Sequence, residues 1–305
     1  MINEIALEPD VLAKPENIRY FLEQFDVHKG RLIADFPQRW VSEVYRMWSR
    51  TLKDVERRRF ENLLATIERK VIVRNVKRKC EGIDWLENAE AVQNTRDPFH
   101  AIVARENPRN REHVLVADMI EEDTPLWKTN RQNVIPRNAR AISDIAAPLI
   151  HISKEILLVE PYFDPCNGTF KSSLRTVLYH LAHRRNRAAR VELHCTIHKT
   201  SGNNFWDDCH ENLPDLVPEG VRLDVFRWSK KQGGERFHRR YVLTERGGIA
   251  YEGGLDRGKE GETTDVYLLE SAIHEKRWTE YQVDSEAFEM DKEGPIEIHG
   301  LRSFR

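Results

Sequence analysis

Residues 237–256 have the sequence FHRRYVLTERGGIAYEGGLD, and this stretch decides the fold prediction for the second half of the chain. Two short apolar runs, residues 240–244 and 249–251, lie on either side of a Gly-Gly pair. Apolar runs of this length that are separated by glycines are typical of two β-strands joined by a tight turn. The sequence therefore predicts a strand pair with charged residues before it and a glycine-rich segment after it.

Upstream of this pair, predicted strands alternate with predicted helices. Residues 156–159 form a continuous apolar run, as expected for a strand buried on both faces, and residues 191–197 and 221–228 form two further strands. Helical stripes of apolar residues separate them, so we expect an α/β fold with a mixed or mainly parallel sheet flanked by helices. Ligands of such sheets bind beyond the carboxyl ends of the strands. The side chains expected near these ends are Glu160, Tyr162, His198, Lys199 and His238.

The first half of the chain has mostly helical patterns. Apolar stripes predict a helix from Pro15, one long helix or a bent pair over residues 37–73, a short helix around Trp85, and a helix from Pro136 to Ile150. Two short strands are predicted at residues 101–104 and 114–117. We therefore expect a mostly helical domain over residues 1–150, available to bind a partner protein, followed by the α/β domain over residues 151–305.

Composition limits the classes of function. The 305 residues include 48 basic and 50 acidic ones, so the net charge of −2 excludes a globally basic nucleic-acid binder but not a local basic site. No apolar run is long enough for a transmembrane helix, and the acidic N-terminus is unlike a secretory signal. Four scattered cysteines are typical of free thiols in the cytoplasm. No motif for a metal or another cofactor is present.

The quoted stretch resembles the phospholipase D superfamily motif, which runs His-x-Lys, four residues, Asp, about six residues, Gly-Gly or Gly-Ser, and Asn. His238, Arg240 and Glu245 occupy its first three positions. Gly253, Gly254 and Asp256 match the later ones if one extra residue is allowed. The chain holds three His-x-Lys/Arg triplets, but only this one continues with the acid and the glycines. The triplet at 274–276 is expected to be a surface helix pair.

A divergent branch gives the closer match. His238, Arg240 and residues 254–256 resemble the C-terminal phospholipase D-like domain of MIT-domain proteins, and Glu160-Pro-Tyr162 is similar to the Asp-Pro-Tyr of that branch. The segment at residues 262–264 is a weaker match. The resemblance covers about 115 residues of the second half and does not extend to the first half.

The resemblance implies a metal-free phosphodiesterase mechanism. In active members one histidine attacks phosphorus, a second histidine protonates the leaving oxygen, and the lysine neutralises phosphoryl charge. His238, Arg240 and Glu245 are then the expected catalytic residues. The expected phosphate or substrate ligands are Arg239, Gly253, Gly254, Asp256, Glu160, Tyr162, His198 and Lys199. Because the chain carries one motif, the second histidine comes either from a homodimer with facing motifs or from His198.

Three departures from the motif leave two functions open. Arg240 replaces lysine, Glu245 replaces aspartate and Asp256 replaces asparagine, and arginine is not equivalent to lysine in a tight site. One hypothesis is a nuclease, with local cations such as Lys230, Lys231 and Arg236 following a nucleic-acid backbone. The alternative is a non-catalytic module that binds an anionic lipid headgroup, a nucleotide or a nucleic-acid backbone. An effector role for the helical half, as in bacterial defence proteins, rests on analogy alone.

Overall fold

The computed structural model describes residues 1–48, 54–70, 72–73, 78–82, 84–182, 190–197 and 204–301. The chain divides into two compact units, Met1–Arg131 and Gln132–Arg305. The predicted boundary near residue 150 is therefore wrong. The segment after Arg131 contributes an edge strand and a long helix to the second unit, so the division precedes both elements.

The first unit is built on a five-stranded parallel sheet with the order β3-β2-β1-β4-β5. Its strands are β1 Asn3–Leu7, β2 Arg31–Ala34, β3 Ile72–Val73, β4 Ala101–Ala104 and β5 Val114–Val116. Its α-helices are α1 Pro15–Gln24, α2 Trp40–Trp48, α3 Asp54–Lys70 and α4 Trp85–Val92, with 3-10 turns at Pro9–Ala13, Val27–Lys29 and Ala117–Met119.

The prediction of a mostly helical first half is thus only partly right. The expected helices near Pro15 and Trp85 and the strands at 101–104 and 114–117 are present, but the central strands β1 and β2 were missed. All four residues of β2 are buried, so the strand lacks the alternation of apolar and polar residues that marks a half-exposed strand.

The second unit contains a nine-stranded mixed sheet with the order β13-β9-β8-β7-β10-β11-β12-β6, and β14 also pairs with β9. Its strands are β6 Gln132–Pro136, β7 Glu155–Val159, β8 Arg190–Thr196, β9 Arg222–Ser229, β10 Tyr241–Thr244, β11 Gly247–Tyr251, β12 Thr263–Leu268, β13 Glu289–Met290 and β14 Ile296–His299. Its helices are α5 Ala139–Ile152, α6 Gly168–Ala182, α7 Phe205–Asn212 and α8 Ser271–Glu280. Strands β7, β8 and β9 are parallel, whereas β10, β11, β12 and β6 continue the sheet in antiparallel pairs. The α/β class is confirmed.

Side chains on β7 and β10 alternate between the two faces of this sheet. Leu157, Val159, Tyr241 and Leu243 belong to one apolar cluster on one face. The residues between them face the opposite side, where the Tyr251 hydroxyl donates a hydrogen bond to the carbonyl oxygen of Ile142 in α5 at 3.0 Å. Pairing Tyr241 with Val159 places residues 240 and 160 side by side where the strands end, on this second face.

Two histidines are part of the core. The His194 ring is stacked against Phe226 and Trp228, and Trp228 Nε1 donates to His194 Nδ1 at 3.0 Å. His194 Nε2 therefore carries the proton that it shares with Glu192 at 3.0 Å. His274 is buried, with Nε2 2.8 Å from the carbonyl oxygen of Thr244. The expectation that it belongs to a surface pair is wrong, because α8 packs this side chain onto the sheet.

Across the residues that the structure describes, no helix combines the length and apolar character needed to span a membrane.

Candidate functional site

One edge of the nine-stranded sheet collects most of the predicted site residues. Glu160 follows the last residue of β7 at this edge, and His238 and Arg240 precede the first residue of β10. The glycine-rich residues 252–256 follow the end of β11 at the same edge. The start of β12 and the end of β6 reach the same edge, since Thr263 pairs with Pro136. Antiparallel pairing therefore brings together residues that are far apart in sequence.

Glu160 is the buried centre of this edge, with 2% of its surface exposed. Its carboxylate accepts a hydrogen bond from the backbone N–H of Leu255 at 2.7 Å and another from the N–H of Tyr162 at 3.2 Å. Burial raises the pKa of Glu160, while these two N–H groups and the charge of Arg240 act in the opposite direction. The side chain thus fastens the loop after β11 to the end of β7.

Arg240 lies beside Glu160 with part of its guanidinium uncommitted. Its Cζ is 5.2 Å from the centre of the Tyr162 ring, and Nη1 donates to the carbonyl oxygen of Glu252 at 3.3 Å. Its Nε is buried without a hydrogen-bond partner among the described residues. An unmatched buried donor is costly unless a ligand completes it, which makes Arg240 suited to bind an anion.

His238 is half-buried and precedes Arg240 by two residues. Its Nδ1 lies 2.8 Å from the carbonyl oxygen of Arg236. Because a carbonyl oxygen can only accept, Nδ1 carries the proton and Nε2 of the neutral ring keeps its lone pair. The contact thus selects the tautomer that a nucleophilic imidazole requires.

The loop after β11 depends on glycine. Gly254 has a φ of +105°, and a Cβ at this position would lie 2.6 Å from Asp256 Oδ1 and 3.2 Å from Glu160 Oε2. Next to it, the N–H of Gly253 donates to Thr264 Oγ1 at 2.9 Å. The predicted residues Gly253, Gly254 and Asp256 therefore do lie at the site.

Arg137 is a site residue that the sequence analysis missed. It follows β6, and its Nη2 is 2.6 Å from Asp256 Oδ1, while Nη1 is 3.8 Å from Glu262. This guanidinium compensates the negative charge that Asp256 brings to the loop. No motif marks Arg137 in the sequence, because its contacts depend on β6 pairing with β12.

Glu245 does not belong to this cluster, so its assignment as a catalytic residue is corrected. Its two carboxylate oxygens accept the backbone N–H groups of Lys154 and Glu155 at 2.8 and 3.0 Å, where β7 begins. Five residues of strand separate it from Arg240, which is about 17 Å. Glu245 holds β10 against the start of β7 and has a structural role.

The structure does not place Arg239 at this site. Arg239 is exposed, and its Nε is 3.4 Å from Glu235. His198 and Lys199 lie outside the described residues.

Comparisons with known proteins do not assign the chain to a family. No family model matches it, and no curated protein matches it. Among solved structures there is a likeness to TrmBL2, an archaeal chromatin protein whose structure shows a novel mode of DNA binding, at 12% identity and a TM-score of 0.27. The aligned part covers 52% of this chain and 54% of that chain, about half of its length. A TM-score this low does not establish a shared fold.

Proposed function

We propose that the sheet edge around His238 and Arg240 binds a phosphodiester, and that the chain is a metal-independent phosphodiesterase acting on nucleic acid. The observation that supports this most is the contact between His238 Nδ1 and the carbonyl oxygen of Arg236 at 2.8 Å. It directs the lone pair of the neutral ring to Nε2, the atom that attacks phosphorus in the proposed reaction.

In the proposed reaction, Nε2 of His238 forms a bond to phosphorus while the bond from phosphorus to the leaving oxygen breaks. The leaving oxygen takes a proton, and water later attacks the phosphohistidine to release the phosphate product. The proton donor is a second histidine. A homodimer with two facing His238 side chains would supply it, and His198 of the same chain is the other candidate.

Arg240 is the proposed phosphate-binding side chain. Tyr162 and the carbonyl oxygen of Glu252 hold its guanidinium, and its Nε is a donor without a partner among the described residues. A fixed guanidinium at this position stabilises the extra negative charge of the pentavalent transition state. Glycines at 253 and 254 would let the backbone approach the same phosphate.

Asp256 does not argue against a phosphate at this edge. Its carboxylate is paired with Arg137 at 2.6 Å, and both side chains are only 23% exposed. The pair is neutral in sum, so the repulsion expected from aspartate in place of asparagine is reduced. Arg137 and Glu160 are then positioning residues that hold the glycine loop.

The second candidate function is binding without turnover. It is favoured by the way Arg240 is held, because a wide, planar group tied to Glu252 and Tyr162 adapts less readily than a lysine to a changing phosphoryl group. In that case the site would bind an anionic headgroup, a nucleotide or a nucleic-acid backbone and release it unchanged.

One experiment separates the two functions. The full chain is incubated in EDTA with end-labelled single- and double-stranded DNA and RNA, together with His238→Ala, Arg240→Ala and His210→Ala. His210 is exposed on α7 and serves as the matched control. We expect cleavage by the wild type and by His210→Ala, and a loss of at least about a hundredfold in His238→Ala.

Three other outcomes of this experiment would lead to different conclusions. Cleavage that is unchanged in His238→Ala contradicts the proposed mechanism. Saturable binding that is lost in Arg240→Ala, without cleavage of any substrate, supports the binding function. The absence of both cleavage and Arg240-dependent binding rejects both candidates.

A further inference from the structure

The first unit contains a separate cleft of about 1030 Å³. Its walls come from α1, from the start of β2 and from residues 120–131, which follow β5. Its lining includes Tyr20, Gln24, Lys29, Arg31, Trp127 and Lys128. A cleft of this size accommodates a ligand of roughly drug size.

Arg31 is the unusual residue of this cleft, because it is charged and only 7% exposed. Its Cζ lies 4.5 Å from the centre of the Trp127 ring, its Nε donates to the carbonyl oxygen of Trp127 at 3.0 Å, and its Nη1 is 3.4 Å from Gln24 Oε1. A guanidinium has five N–H groups, so these contacts leave donors on Nη1 and Nη2. Neither of the two hydrogen bonds that Arg31 forms goes to a carboxylate.

Two other arginines with little exposed side-chain surface have a carboxylate partner, which Arg31 lacks. The side chain of Arg78 is also 7% exposed and also lies over an aromatic ring, that of Phe99 at 4.2 Å. Unlike Arg31, it forms two hydrogen bonds to the carboxylate of Glu4. Arg277 in the second unit is paired with Glu235 and Glu280. A buried cation without such a partner is unfavourable, and a bound anion would remove the imbalance.

The electrostatic surroundings of Arg31 also favour a bound anion. Burial lowers the pKa of Arg31, and the neighbouring Tyr20 and Glu122 offset the effect only in part. Glu122 contributes at long range, since no carboxylate is in ion-pair contact with the guanidinium.

We propose that the Arg31 cleft binds a small organic oxyanion, either a phosphate monoester or a carboxylate, whose charge compensates the buried guanidinium. Lys29 and Lys128 line the same cleft and add positive charge, with Lys29 Nζ also donating to the carbonyl oxygen of Glu23.

Two features narrow the class of ligand. Three exposed acids, Glu121, Glu122 and Asp123, also line the cleft and disfavour a long polyanion such as nucleic acid. The partly exposed ring of Tyr20 offers a surface for an aromatic group of the ligand.

Binding is measured by isothermal titration calorimetry on the full chain with three probes: inorganic phosphate, adenosine 5′-monophosphate and citrate. Chloride at equal ionic strength and uncharged adenosine are the controls. All titrations are repeated in Arg240→Ala, so that an anion bound at the second unit is recognised. We expect saturable binding of at least one probe to the wild type and to Arg240→Ala, and affinity at least about tenfold weaker in Arg31→Met.

The three probes distinguish a phosphate ligand from a carboxylate ligand. Preference for adenosine 5′-monophosphate or phosphate over citrate identifies a phosphate ester, and the reverse identifies a carboxylate. The proposal is overturned if none of the probes binds saturably to Arg240→Ala. It is also overturned if Arg31→Met binds the probes as tightly as the wild type does. If Arg31→Met does not fold, Arg31→Gln, which removes the charge but keeps a hydrogen-bonding side chain, is titrated instead, and the same loss of affinity is expected.

A second measurement needs no ligand. Without added anion, we expect Arg31→Met to lower the unfolding temperature by less than Arg78→Met does, because the loss of Arg31 leaves no carboxylate without its partner. Arg78→Met is expected to unfold at a lower temperature, because it leaves Glu4 without its partner. An equal loss of thermal stability in both variants would show that Arg31 is already satisfied by the fold, and would overturn the proposal.

Discussion

Replacing Glu160 with glutamine changes one atom at the centre of the candidate site. The carboxylate accepts two backbone hydrogen bonds, from Leu255 at 2.7 Å and from Tyr162 at 3.2 Å. A glutamine side chain has one acceptor and one NH₂ group, so one of the two N–H groups then faces a donor. Because residue 160 is only 2% exposed, water does not replace the lost acceptor.

The expected loss follows from this count. One buried, unsatisfied N–H group costs about 1–3 kcal/mol, which lowers the protection of the loop against local opening about five- to 150-fold.

Amide hydrogen exchange measures this locally, since unfolding of a chain with two units is not a two-state process. The exchange rates of the Leu255 and Tyr162 amides are compared in the wild type, in Glu160→Gln and in Glu252→Gln. Glu252 is exposed in the same loop, so its variant should change little. Equal protection of both amides in Glu160→Gln and Glu252→Gln would show that the Glu160 carboxylate does not hold the loop.

Three further predictions concern other parts of the second unit. In amide hydrogen exchange, Gly254→Ala should lower the free energy of local opening around the substituted residue by about 1–3 kcal/mol more than Gly261→Ala does, because both positions have positive φ but only a Cβ at position 254 would meet a neighbour at 2.6 Å. Glu245→Gln should lose about 1 kcal/mol while any phosphodiester cleavage per folded molecule stays unchanged, and a specific loss of cleavage would restore its catalytic role. Burial lowers the pKa of His194, so wild-type stability should fall below about pH 6.5 more steeply than that of His194→Gln; parallel pH profiles would contradict a buried neutral ring.

The sequence predicts the second unit well where a pattern is local. The apolar run before Glu160 and the strands β10 and β11 lie where they were expected, although the turn falls at residues 245–246 and the Gly-Gly pair lies within β11. The fold of the first unit is harder to predict from the sequence, because β1 and β2 are short strands in which apolar and polar residues do not alternate. Helical patterns around them then dominate the prediction.

The candidate site shows a similar limit. A motif fixes the spacing of residues along the sequence but not their distance in space. In a strand each successive residue lies about 3.4 Å further along, so two motif residues on one strand can be far apart. Glu245 therefore lies at the far end of β10 although it matches the motif. Arg137 has no motif, and only the pairing of β6 with β12 brings it to Asp256.

If Nε2 of His238 attacks phosphorus, a covalent phosphohistidine forms during the reaction and can be trapped. The full chain is mixed with a labelled oligonucleotide in EDTA, quenched within the first turnover and analysed by peptide mass spectrometry. We predict a nucleotide joined through its phosphate to the peptide that contains His238, absent from His238→Ala. Cleavage of the oligonucleotide without such an adduct, or with the adduct on another residue, would show that His238 is not the nucleophile.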